Sequence, residues 1–222
     1  TLNSPAINAG GSHTVTIQGI GNYTGIATKT YKITPAPLKV IANSASQPYD
    51  GKPLTAGGVI EGLVGDETAT AQTEGSQTEV GSSVNIAKES LEWGTATNKD
   101  NYYIQSLTDG KLTVTAKSIA ASDITVGALP DVVYSGTEQA QKPEVKDGDT
   151  ALVEGTDYEL SYSADVTNAG TVTVTVTGKG NYAGTAQVTY KILKRQVELS
   201  SGTQTWPYDG QAHSLTEVSG WE

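Results

Sequence analysis

Residues 178–192 read Gly-Lys-Gly-Asn-Tyr-Ala-Gly-Thr-Ala-Gln-Val-Thr-Tyr-Lys-Ile, and residues 19–33 read Gly-Ile-Gly-Asn-Tyr-Thr-Gly-Ile-Ala-Thr-Lys-Thr-Tyr-Lys-Ile. Gly178, Gly180, Asn181, Tyr182, Gly184, Ala186, Thr189, Tyr190, Lys191 and Ile192 each meet an identical residue in the earlier copy. An internal match of this kind marks an array of related units. Its local reading is a β-hairpin. Gly178, Gly180 and Asn181 tolerate the positive φ of a tight turn, and the chain returns with Val188, Tyr190 and Ile192 on one face.

The residues leading into the turn carry the same message. Thr171-Val172-Thr173-Val174-Thr175-Val176-Thr177 alternates strictly, which puts the three valines on one face of a half-buried strand. His13-Thr14-Val15-Thr16-Ile17 repeats the pattern, with Val15 and Ile17 expected inward and His13 beside them. Asn8-Ala9-Gly10 meets Asn168-Ala169-Gly170 once a single residue is inserted near Gly11, so the copies extend back to residues 6 and 166. Tyr182 stands at the end of the hairpin. There its ring can cap the core edge while its hydroxyl reaches water or a backbone group.

Working outward, Thr34-Pro35-Ala36-Pro37 reads as a stiff joint, since prolines restrict their own φ and the residue before them. Beyond it, strands are expected at Leu38-Lys39-Val40-Ile41-Ala42, 68–73 and 83–87, with a turn at Gln47-Pro48-Tyr49-Asp50-Gly51. A loop or single helical turn is expected over 62–67. Residues 101–115, with Thr108-Asp109-Gly110 as a turn, are expected to parallel the first hairpin. A further unit follows, running through 118–126 and then 132–137, with a strand over 142–146 that meets the turn Asp147-Gly148-Asp149. Tyr158, Leu160 and Tyr162 alternate towards the closing hairpin. The expected organisation is the C-terminal half of a repeat over 1–34, complete β modules over 35–115 and 116–193, and the N-terminal half of another repeat over 194–222. The expected fold is all-β: tandem small Ig-like β-sandwich modules in an elongated array, with a β-grasp-like module as the alternative.

The 222 residues include 24 Asp and Glu against 14 Lys and Arg, a formal net charge of −10. Polyanion binding needs the opposite balance, so neither nucleic acid nor an anionic membrane is an expected partner. No apolar run approaches the ~20 residues of a membrane-spanning helix. There is no cysteine, which excludes disulfides and thiolate metal sites. The chain opens on Thr1 and lacks methionine, and reads as a segment of a longer protein.

Residues 36–115 resemble the MBG type of bacterial Ig-like repeat. The resemblance rests on Ala36-Pro37-Leu38-Lys39-Val40, Tyr49-Asp50-Gly51, Gly62-Leu63-Val64-Gly65-Asp66, Asn101-Tyr102 and Lys111-Leu112-Thr113-Val114-Thr115. Residues 117–192 resemble a related repeat through Tyr134-Ser135-Gly136-Thr137, Gly155-Thr156-Asp157-Tyr158, Asn168-Ala169-Gly170 and the closing hairpin. Trp206-Pro207-Tyr208-Asp209-Gly210 begins another. The resemblance implies extracellular spacers or adhesive stalks of bacterial surface or secreted proteins, with neighbouring repeats as partners. Tyr134-Ser135-Gly136 departs from the Tyr-Asp-Gly triplet. Ser can replace an Asp that makes a local turn bond more readily than one that ligates a metal.

No enzyme, cofactor, catalytic residue or metal ligand is indicated. The only histidines, His13 and His213, lie in different half-modules, far apart in sequence. Asp147/Asp149 and Asp66/Glu67 read as solvated turn formers rather than an acid–base pair. Asp147 and Asp149 with Glu154 or Asp157 are the one carboxylate set that could offer calcium its oxygen ligands, without EF-hand spacing. Gly178-Lys179-Gly180 lacks the spacing of a phosphate-binding loop. Asn22-Tyr23-Thr24 fits a glycosylation sequon that its copy Asn181-Tyr182-Ala183 does not keep.

The expected function is a structural stalk presenting a distal domain. A second expectation is a module that binds host or plant glycans, including mucin-type chains, through Trp93, Trp206 or Trp221. A third is an accessory repeat of a secreted glycosidase. No ligand-binding residue is fixed by the sequence. The incomplete terminal modules are also expected to offer unpaired edges for head-to-tail self-association.

Overall fold

The computed structural model describes residues 7–163, 165–214 and 218–219. The chain is all-β and divides into two units, Thr1–Lys117 and Ser118–Glu222. Among the described residues the one helical element is a 3-10 turn, Lys99–Asn101, and no helix is long and apolar enough to cross a membrane. The 62–67 segment forms a turn, with Glu67 N donating to Val64 O at 3.3 Å, so the β-grasp alternative lacks its helix.

The first unit opens with β1 (His13–Gln18) and β2 (Ile26–Tyr31), an antiparallel pair. The strands β3 (Ala36–Ala42), β4 (Ala45–Pro48), β5 (Gly58–Glu61), β6 (Ala69–Glu74), β7 (Gly81–Trp93), β8 (Tyr102–Thr108) and β9 (Gly110–Thr115) follow. They form a three-stranded sheet, β5-β3-β8, and a four-stranded sheet, β4-β9-β7-β6. Alternation along β3 turns Leu38, Val40 and Ala42 inward. Val40 and Ala42 pack on Ala71 and Ala87 of the facing sheet, and Ile60, Leu91 and Ile104 close the cluster. A second cluster of Leu54, Leu112 and Val114 lies with Ala45, Tyr49 and Ala56.

The opening and closing strands of this sandwich run side by side and parallel. β3 pairs with β8 from Ala36↔Tyr102 to Ile41↔Thr108, and β4 pairs with β9 from Ala45↔Leu112 to Pro48↔Thr115. Both strands therefore leave one sheet and enter the other together, at Asn43-Ser44 and at Asp109. Polar side chains fix that crossing. The buried Asn85 amide donates to Asn43 O at 3.0 Å and Ala56 O at 2.9 Å. Ser44 Oγ accepts from Lys111 N, and Asp109 Oδ1 accepts from Ala87 N, both at 2.9 Å. Gly110 lies so close to Asn43 that a Cβ there would stand 2.3 Å from the Asn43 carbonyl oxygen.

This corrects three sequence expectations. Residues 101–115 are not a hairpin: β8 and β9 lie in different sheets, because Asp109 is tied to β7 and Gly110 is pressed against Asn43. Ala36-Pro37 is not joint but strand. Pro37 is tolerated because the β3–β5 pairing ends at Lys39↔Glu61, so no partner there calls for its missing N–H. Gln47-Pro48 belongs to β4 rather than to the turn after it.

In the second unit, β10 (Lys117–Ser118) stands at the boundary, and β11 (Ile124–Val126), β12 (Val132–Val133), β13 (Val145–Asp147), β14 (Thr150–Ala151) and β15 (Tyr158–Tyr162) follow. Then come β16 (Gly170–Gly178), β17 (Tyr182–Ala183), β18 (Thr185–Leu193), β19 (Ser200–Ser201) and β20 (Val218–Ser219). The main sheet is β12-β18-β16-β15, beside a three-stranded sheet, β11-β13-β14. Val172, Val174, Tyr190 and Ile192 form its core with Leu129, Val132, Leu160 and Tyr162. Burying each valine of β16 is worth at most about 1.5–3 kcal/mol. The strand expected over 142–146 begins only at Val145, and the chain turns over 119–123 before β11.

The two sequence copies fold alike. Gly19 N donates to Gly25 O and Gly178 N to Gly184 O, both at 2.9 Å, and His13↔Tyr31 corresponds to Val172↔Tyr190. Gly21 and Gly180 take φ of 70° and 63°, which explains the fixed glycine in the turn. Their surroundings differ. Val176 is 0% exposed but its counterpart Ile17 is 63% exposed, and Tyr182 is 7% exposed against 78% for Tyr23. The inward placement expected for Ile17 is therefore corrected. Among the described residues β1–β2 is a lone two-stranded sheet, with no third strand paired to it and none of its residues buried.

Replacing Asn85 by Leu removes the amide that ties the crossing together at similar side-chain volume. It is expected to destabilise the 35–115 module by about 1–3 kcal/mol, whereas Ser82→Ala on the exposed side of β7 stays within about 0.5 kcal/mol. Denaturant unfolding of the three proteins checks this. An unchanged midpoint for Asn85→Leu would contradict it.

Candidate functional site

The Tyr-x-Gly triplets are one structure used three times. Asp50 Oδ1 accepts from Lys52 N at 2.9 Å, Ser135 Oγ from Thr137 N at 3.4 Å and Asp209 Oδ1 from Gln211 N at 2.9 Å. The glycines that follow have φ of 74°, 81° and 72°. Asp and Ser both cap the turn by bonding two residues ahead, with Ser making the longer contact. Each of the first two triplets also begins where the closing strand ends. Tyr49 N donates to Thr115 O at 2.8 Å and Tyr134 N to Leu193 O at 2.9 Å.

A second arrangement recurs that the sequence did not reveal as a pair. Tyr102 is buried, and its hydroxyl donates to Glu67 Oε2 while accepting from Val64 N at 3.0 Å. Tyr182 is buried too, and its hydroxyl donates to Asp147 Oδ2 at 3.1 Å. The tyrosine expected to cap the hairpin thus does so, with a carboxylate as partner. The only sequence signal was an acidic residue earlier in each module, Glu67 in a loop and Asp147 at the end of a strand. Burial, then the bond to Glu67, pushes the Tyr102 phenol above its ordinary value of 10.0. Burial likewise raises Tyr158 and Tyr162.

The carboxylates that could have served calcium are not brought together. Asp147 serves Tyr182, Asp157 Oδ2 accepts from Val153 N at 2.8 Å, and Glu154 pairs with Lys142 at 2.8 Å. Among the described residues no three acidic or histidine side chains converge in a metal-binding group. His13 lies against Tyr31, ring centroids 5.2 Å apart. His213 stacks on Trp206 at 5.0 Å and holds Asp209 Oδ1 at 2.9 Å through Nε2. The signal for that contact was the four-residue spacing of Asp209 and His213.

Of the tryptophans, Trp93 is half-buried and stacks on Tyr102, centroids 5.9 Å apart. It belongs to the Tyr102–Glu67 arrangement. Trp206 is partly exposed, and Tyr208 beside it is 98% exposed. Trp221 lies outside the described residues. The first unit has an open cleft of about 370 Å³ between Asn8, Ala9 and Thr34 on one side and Val64, Glu67 and Tyr102 on the other. Ala9 N donates to Asn101 Oδ1 at 2.7 Å across it. The second unit has a cleft of about 400 Å³ at Tyr134, Asn168, Ala169, Lys194 and Arg195. Both use the recurring Asn-Ala step, but one wall is acidic and the other basic. They do not form one repeated binding site.

No protein-family model and no curated protein matches the chain.

Tyr102→Phe removes both hydroxyl bonds at a buried position and is expected to cost about 1–3 kcal/mol. A phenol that ionises later in the folded chain than in the unfolded one favours folding below its unfolded value and loses that contribution as pH rises through its folded one. Stability of the native protein is therefore expected to fall as pH rises past 10.0, and Tyr102→Phe to flatten the fall. Thermal unfolding over an alkaline pH series measures both. Parallel curves for the two proteins would contradict the assignment.

Proposed function

We propose that the chain is a structural stalk segment of a bacterial cell-surface or secreted protein, holding a distal functional domain away from its anchor, with neighbouring repeats as its partners. The observation that carries this reading is that the recurring polar residues are consumed by the fold. Asp50, Ser135 and Asp209 each bond their own turn, and Tyr102 and Tyr182 are each buried on a carboxylate. A family of catalytic or ligand-binding repeats would keep recurring polar groups facing solvent around a shared site. The net charge of −10 further suits molecules that must stay soluble and apart at a crowded surface.

The reading is tested in solution by small-angle scattering. A single compact body of this length has a radius of gyration of roughly 17 Å. A stalk segment gives a clearly larger value and an elongated distance distribution, and a result near 17 Å would overturn the proposal.

One observation favours a second reading, glycan binding. The Trp206–His213 stack beside the exposed Tyr208 presents flat aromatic surface of the kind that packs on a sugar ring. A glycan array with the native chain and Trp206→Ala separates the readings. The stalk reading expects both to be blank; binding by the native chain that is lost in the variant would establish the second.

A further inference from the structure

The parallel ladder between opening and closing strands has a mechanical meaning. When a chain is stretched, tension enters a folded module at its first strand and leaves at its last. If those strands lie antiparallel and are drawn from the same end, their hydrogen bonds break singly, in succession. If they lie parallel and are drawn from opposite ends, the strands must slide, and every rung between them carries load together.

In residues 35–115 the second geometry holds from end to end. Tension enters at Ala36, which faces Tyr102 at one end of the ladder, and leaves at Thr115, which faces Pro48 at the other. The Tyr49 N to Thr115 O bond extends the ladder past the last pair. At the crossing between sheets, where the ladder would otherwise be weakest, Ser44 bonds Lys111 and Asn85 bonds Asn43. The strands β5, β6 and β7 lie between these two in sequence and carry no load until the ladder gives way.

Residues 118–193 differ in the same feature. Their opening strand β10 is two residues long and pairs with β17, and the next shared run is the parallel pair Val132↔Ile192 and Val133↔Leu193, with Tyr134 N donating to Leu193 O at 2.9 Å and Lys191 N to Asp131 Oδ1 at 2.8 Å. Ile119 N donates to Ala183 O at 2.8 Å beside the first of these contacts, and residues 120–131, which include β11, separate the two. A short ladder leaves few bonds to share the load.

We propose that the 35–115 module is a load-bearing clamp working in shear, and that the 118–193 module is the weaker element that opens first under tension. The inference rests on the stalk reading for its purpose, while the geometry stands on the strand pairing alone. Together the two modules give a segment that yields in two steps instead of failing at once.

Single-molecule pulling of the full chain tests this, and the absence of native cysteine allows handles to be placed at will. With Pro37→Cys and Thr115→Cys the module is pulled along its ladder. With Pro37→Cys and Tyr103→Cys, adjacent exposed positions at one end, the same ladder is unzipped. The opening force is expected to be at least about twofold higher along the ladder. Handles at Ser118→Cys and Leu193→Cys are expected to give a lower opening force than the Pro37/Thr115 pair. Equal forces in the two directions, or a stronger 118–193 module, would overturn the proposal.

Because cysteines at the ladder could themselves disturb folding, the unsubstituted chain is also pulled between its termini. A weak opening event followed by a strong one is expected, and events of a single force would overturn the proposal. Anisotropy in a compact particle would leave the clamp standing and remove the stalk. An elongated particle with equal forces would do the reverse.

Discussion

Everything in the 35–115 module depends on one constraint: the first strand and the last must lie parallel, although the rest of the module separates them in sequence. A parallel pair cannot be closed by a hairpin, so the intervening strands must form the sheets on either side of it. The pair also crosses from one sheet to the other, and a crossing leaves backbone groups without ladder partners. Those groups are met by Asn85, Ser44 and Asp109. An unpaired buried carbonyl or amide costs about 1–3 kcal/mol, comparable to burying a whole aliphatic side chain. That comparison explains why a wholly buried polar residue stands in a core of mainly aliphatic side chains.

The same reasoning accounts for the motifs. In a small sandwich without disulfides, each turn and strand end needs its own local partner. The Tyr-Asp-Gly triplet supplies a side-chain acceptor, a positive-φ glycine and a tyrosine whose amide completes the closing strand. Ser135 does the acceptor's work with a longer bond. The surface ion pairs, such as Lys179 with Glu159 and Lys146 with Glu144, both at 2.8 Å, are exposed and contribute little beside these contacts.

Much of this was legible in the sequence where the cause is local. The alternation of Val172, Val174 and Val176 fixed which face would be buried, and the turn glycines placed the hairpin, because period and φ are properties of a few adjacent residues. Substitution of Ser for Asp in one triplet already pointed to a turn bond. What escaped was set by distant chain. Nothing near Asp109 announces that Ala87 will bond it, so a crossing read as a hairpin. Ile17 has the pattern of a core residue, but only a facing sheet makes it one. The tyrosine–carboxylate pairs and the role of Asn85 likewise need long-range register that no window of sequence contains. His213 on Trp206 was within reach of a local reading, through its four-residue spacing from Asp209.

The most direct test of closure by the first and last strands is amide hydrogen exchange, followed residue by residue. If the ladder closes each module, the amides of Tyr49 and Tyr134 exchange only on global unfolding of their own modules, Tyr49 as slowly as the core amide of Leu112 and Tyr134 as slowly as that of Val174, while β1–β2 amides exchange far faster. Tyr49 and Tyr134 amides that exchange as fast as those of β1–β2, with Leu112 and Val174 still protected, would contradict it.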